Sequence, residues 1–139
     1  MIRAVDSLAS RPDVDRNAIL AYGNRASGMT LLHAAVLDTR ISSVTIENTL
    51  ASYRMVVDQP VHRNVSEIVV PGVLRHYDVG DLLKATYPRQ VTIIHPQNAL
   101  GETMTDGDFQ SLWPAVFQTE QKLGAKDRIR FAQGLKDVH

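Results

Sequence analysis

The chain of 139 residues contains no cysteine, so a disulfide, a thiolate nucleophile and a thiolate metal site are all excluded. An excess of charge of either sign is lacking too. Fifteen basic residues cancel fifteen acidic ones, and without a cationic field the chain has little to hold a polyphosphate backbone. Nucleic acid is not an expected partner. No stretch approaches the ~20 apolar residues that a membrane helix needs, and Met1-Ile2-Arg3-Ala4-Val5-Asp6 lacks the apolar core of a secretory leader. No membrane association is expected, and as written the chain reads as cytoplasmic. The short paired spacings of histidine and carboxylate that bind zinc are missing. Gly23 and Gly28 lack both the Lys-Ser/Thr of a P-loop and the third glycine of a dinucleotide fingerprint. Neither metal nor cofactor is expected, and the local group His76, Asp78 and Asp81 reads as a turn and a helix cap.

What is present is enough apolar residue, 44% of the chain, to bury one ordinary core, and residues 1–139 read as a single domain. Ile2, Val5, Leu8 and Ala9 recur at helical spacing until Ser10-Arg11-Pro12-Asp13 stops them. Ile19 to Tyr22 is a compact apolar run of strand length. Met29 to Leu37 is apolar on most faces and predicts a buried helix. Ser43 to Glu47 is short and β-branched, as a second strand would be. Leu50 to Gly72 reads as a loop excursion with a helical turn or two over Ala51 to Val57. Asp81 to Thr86 predicts a brief helix that halts before Pro88. Gln90 to His95 is the clearest strand. Phe109 to Leu123 has helical spacing, with Pro114 better suited to a first turn than to a middle, and Arg128 to Gln133 alternates as a last strand would. This order predicts an α/β fold of about four parallel strands with helices on both faces.

The most informative stretch is Asp13 to Gly28, which reads as loop, buried strand, tight turn and helix. Together with Tyr87-Pro88-Arg89-Gln90 leading into Val91-Thr92-Ile93-Ile94, and with a terminal His139, it resembles the C-terminal half of an α/β-hydrolase of the acetyl xylan esterase and prolyl-oligopeptidase-like group. The resemblance implies that Ile19 to Tyr22 is the fifth strand of the full fold, that the first four strands are missing, and that the chain is a truncated domain. The loop that supplies the family's second oxyanion donor would be missing with them. A sheet cut at that strand leaves an open edge, so homo-oligomerisation through the edge is expected. A non-catalytic dimerisation or ligand-binding protein, or a fragment of a longer hydrolase, is the competing reading. The family is often secreted, though no signal segment is visible.

Ester hydrolysis in this fold needs a nucleophile on a sharp strand-to-helix turn, a histidine and an orienting acid. The expected G-x-S-x-G is broken: Gly23 as first glycine puts Arg25 in the nucleophile slot and Ser27 in the second glycine slot. The resemblance implies a small ester substrate, with Ser27 attacking, His139 shuttling the proton and Asn98 orienting it. Asp106, Asp108 and Glu47 are alternatives to Asn98. Ser27 reads equally as a helix-capping serine. Arg25 is always protonated and cannot attack; it is suited to binding a carboxylate or phosphate, or to pairing with Glu47. His33 reads as a packed side chain and His95 as a structural hydrogen-bonding residue.

Overall fold

Four short apolar runs form one parallel sheet in the computed structural model, which describes residues 1–125 and 127–138. The strands are β1 (Ile19–Asn24), β2 (Ile41–Glu47), β3 (Gln90–Ile94) and β4 (Ile129–Ala132), in the order β1-β2-β3-β4. Parallel neighbours need a crossover between them. Helix α1 (Ile2–Ala9) precedes β1, and α2 (Ala26–Leu37) joins β1 to β2. Next, α3 (Tyr53–Asp58) and α4 (Val79–Ala85) lie between β2 and β3, and α5 (Asp106–Leu112) and α6 (Pro114–Lys122) between β3 and β4. The α/β class expected from the order of apolar runs is the one observed.

Strand register shows where the core sits. Ala21, Val44, Val91 and Ile129 align across the sheet, as do Gly23, Ile46, Ile93 and Phe131 two residues further on. Side chains alternate faces along a strand, so both rows share one face. Helix α2 packs on β1 and β2, α4 packs on α2, and α6 on α4. Met29, Leu31, Leu32 and Ala35 of α2 and Leu83 of α4 are buried in this layer. Burial of each of the larger ones, Met29, Leu31, Leu32 and Leu83, contributes roughly 1.5–3 kcal/mol relative to exposure. The intervening row, Tyr22, Thr45, Thr92 and Arg130, is polar and belongs to the opposite face. There Leu20 is 74% exposed and Tyr22 47%.

Local chemistry moves several expected boundaries. The single helix expected over Phe109 to Leu123 is two helices, broken at Trp113, with Pro114 at the first position of α6. Proline there gives up an N–H that has no helical partner anyway. Helix α3 begins at Tyr53 because the Ser52 hydroxyl accepts the Arg54 N–H at 3.0 Å. The Asp78 carboxylate caps α4, with Asp81 returning a bond to the Asp78 N–H. It also accepts the Ser52 hydroxyl at 2.6 Å and the Tyr53 N–H at 2.7 Å, so one carboxylate ties the starts of two helices together. No helix is long and apolar enough to cross a membrane among the described residues.

Candidate functional site

Strands β1, β2 and β3 end level, with Asn24, Glu47 and Ile94 as partners across the sheet. The residue that leaves each strand has positive φ and is not glycine: Arg25 at 52°, Asn48 at 51° and His95 at 47°. Each left-handed residue of this kind costs on the order of 1 kcal/mol. Such strain gathers where a fold aims side chains at a ligand.

Arg25, at φ 52° and ψ −122°, occupies the conformation of the first central residue of a type II′ turn, which glycine usually takes. Three contacts hold it there. Its N–H donates to the Glu47 carbonyl at 2.8 Å, and its own carbonyl accepts the Met29 N–H at 3.2 Å. The third is the approach of Gly23 to Gly28. A Cβ on Gly23 would lie 2.7 Å from the Gly28 Cα, and one on Gly28 would lie 2.5 Å from the Thr49 Cγ2. Only glycines let β1 and α2 meet this closely, and the apex of the turn between them is Arg25.

The three site residues expected from sequence have different surroundings. The Ser27 hydroxyl donates to the Asn24 carbonyl at 2.8 Å and accepts the Asn24 N–H at 3.0 Å. It thus pins the turn and uses its one proton locally. Asn98 Oδ1 accepts the N–H groups of Leu100 and Glu102 at 2.9 and 3.0 Å, and its Nδ2 donates to the Glu102 carboxylate at 2.8 Å. Both ends of that amide hold the loop after β3. His139 lies outside the described residues. Of the alternative acids, Asp108 accepts the Thr105 hydroxyl at 2.7 Å at the start of α5.

A cavity of about 150 Å³ lies at these strand ends. Arg25 and Ala26 line it from the turn, Asn48 and Leu50 from the exit of β2, and Gln97, Asn98 and Gly101 from the exit of β3. Residues 63–68 of the excursion complete the wall. The exits of β2 and β3 are stitched together, with Gln97 N–H donating to Thr49 and its carbonyl accepting from Ala51, both at 2.8 Å. The cavity therefore gathers Arg25 and Asn98 but not Ser27.

A second polar group was not legible in the sequence. Glu47 accepts a short hydrogen bond from the Tyr22 hydroxyl, and Asn24 Nδ2 reaches the same carboxylate oxygen at 3.4 Å. The other oxygen lies 3.9 Å from His95 Nδ1. The bond to Glu47 holds the Tyr22 hydroxyl above its ordinary pKa, because ionising it would set two anions side by side. Glu47 thus pairs with Tyr22, Asn24 and His95 rather than with the Arg25 side chain. The alternation of Tyr22 and Asn24 on one face of β1 was the signal, but it needs the register with β2 to be read. His33 is structural, with Nδ1 against the Met29 carbonyl at 2.7 Å and Nε2 against the Tyr77 hydroxyl at 3.0 Å. Among the described residues no three side chains of metal-ligating type converge.

No protein-family model and no curated protein sequence matches this chain. In fold it is similar to a crystal structure from Bacteroides fragilis described as a putative acetyl xylan esterase, with a TM-score of 0.74 over 97% of this chain at 13% sequence identity. The chain spans 34% of that protein's length. The likeness establishes an α/β fold of four parallel strands with helices, shared with that protein.

Proposed function

We propose that this chain is an esterase-fold unit that binds a small ligand at the strand ends and has lost nucleophilic chemistry at the turn. The observation that carries this reading is the backbone of Arg25. It takes the strained strand-to-helix position from which this fold presents a nucleophile, and a guanidinium is neither nucleophile nor proton acceptor. Asn98 adds support, since an amide with both ends engaged cannot stabilise an imidazolium as a carboxylate does.

The similar fold of an esterase favours a second reading, hydrolysis of small acyl esters with Ser27 attacking, His139 as base and Asn98 orienting it. That route requires the Ser27 hydroxyl to leave Asn24 before it can attack. Turnover of p-nitrophenyl acetate and butyrate separates the two readings. We expect no hydrolysis above the buffer rate for the parent protein and the same for Ser27→Ala and His139→Ala. Turnover by the parent that is lost in both variants overturns ligand binding without catalysis and establishes the esterase.

A further inference from the structure

The cavity beside Arg25 has a charge pattern that specifies more than a general ligand. Two guanidinium groups, Arg25 and Arg63, line it, and neither makes an ion pair or a side-chain hydrogen bond with any described residue. Arg11, Arg40, Arg54 and Arg128 pair with carboxylates, and what sets Arg25 and Arg63 apart from the other arginines without an ion pair among the described residues is that both line one cavity. One carboxylate, Glu67, lines the same cavity, which leaves one unit of positive charge over. No side chain caps the start of α2 beside it, so the positive end of that twelve-residue helix adds to the same field.

The remaining lining includes neutral hydrogen-bonding groups that the loop after β3 does not use, the amides of Asn48, Asn64 and Gln97 and the hydroxyl of Ser66, whereas the Asn98 amide is engaged at both ends. A volume of about 150 Å³ sets the scale of the occupant as a small molecule. We propose that this cavity binds a small hydroxycarboxylate, its carboxylate held between Arg25 and Arg63 and its hydroxyl groups taken by the amides of Asn48, Asn64 and Gln97 and by Glu67. A monoanion matches the surplus of one charge, and guanidinium groups bind planar carboxylates in two-point geometry. The assignment rests on the ligand-binding reading of the turn and names the ligand class.

Calorimetric titration of the full chain with lactate and glycolate, with lactamide as the neutral match and inorganic phosphate as the competing oxyanion, tests the proposal. We expect saturable binding of the hydroxycarboxylates in the millimolar range or tighter and none of lactamide. Arg25→Gln and Arg63→Gln should each weaken binding by about tenfold or more, the range for a hydrogen bond to a charged group. Both side chains are exposed, so the variants are expected to keep the parent's melting temperature. Absence of hydroxycarboxylate binding, binding unchanged in both variants, or binding of phosphate alone overturns the proposal. The ester-hydrolysis assay fails separately: Ser27-dependent turnover with lactate bound removes the non-catalytic reading and leaves the site, whereas no turnover and no anion binding removes only the ligand class.

Discussion

At the scale of single residues, the chain uses its arginines in two opposite ways. Arg128 is nearly enclosed, 3% exposed beside a Glu120 that is 6% exposed, with 2.6 Å between Nε and the carboxylate. Its other nitrogens donate to Thr86 Oγ1 at 3.1 Å and to the carbonyls of Arg89 and Leu83 at 3.0 and 2.9 Å. Four of its five N–H groups are engaged inside the protein. Arg128→Met strands a buried carboxylate and should cost about 3–5 kcal/mol, whereas the joint change with Glu120→Leu should cost much less. Urea unfolding of the two variants checks this, and equal losses in both would show that packing rather than charge dominates. Arg25 is the reverse case, exposed and unpaired among the described residues. Its misfit in a nucleophile slot was legible from Gly23 alone, because the broken G-x-S-x-G places it by counting. What the hydroxyl of Ser27 does was not legible. Capping, pinning the turn and attack all suit a serine at this place; the two bonds to Asn24 show that it pins the turn, and no side chain caps α2.

At the scale of elements, the turn between β1 and α2 depends on two glycines that do unequal work in the sequence pattern. Gly23 was visible as a turn signal, while Gly28 lies before the helix expected over Met29 to Leu37 and is helical in the structure. The contact between them explains both. Gly23→Ala forces a methyl to within 2.7 Å of the Gly28 backbone and should cost about 1–3 kcal/mol through displaced backbone. Gly134→Ala, with nothing within 4 Å of the added carbon, should change stability by less than about 0.5 kcal/mol. Thermal melts of the pair test the claim, and a neutral Gly23→Ala would mean that the turn has slack. Strand positions were readable because each apolar run is short and bounded. The start of α2 was not, because Ser27 and Gly28 weaken the helix signal ahead of Met29. The break at Trp113 was half legible: Pro114 announced a first turn, but the helical spacing continued across it and hid the division.

At the scale of the whole molecule, the four-stranded sheet ends in β1, whose outer edge pairs with no strand among the described residues. Leu20 and Tyr22 are exposed beside that edge. A bare edge next to apolar side chains is a template for another strand. A second copy of this chain fits, because a two-fold axis would set β1 against itself and zero formal charge brings no long-range repulsion. Light scattering at micromolar concentration should give the mass of a dimer, and Leu20→Lys should return a monomer; a monomeric parent would sink this expectation. The open edge was expected only through the resemblance, which makes Ile19 to Tyr22 a strand with its neighbours missing, whereas the polar row on the far face of the sheet was not legible, since it depends on register. The sole tryptophan, Trp113, donates its indole N–H to the Ala51 carbonyl at 3.2 Å. Its ring lies where a Cβ on Gly80 would fall, 2.3 Å from Cε3. Ala51 follows Leu50, a wall of the cavity at the strand ends. Movement of that wall would change the surroundings of the protein's single indole fluorophore, so a shift of its emission on adding ligand is the expected label-free readout of the cavity.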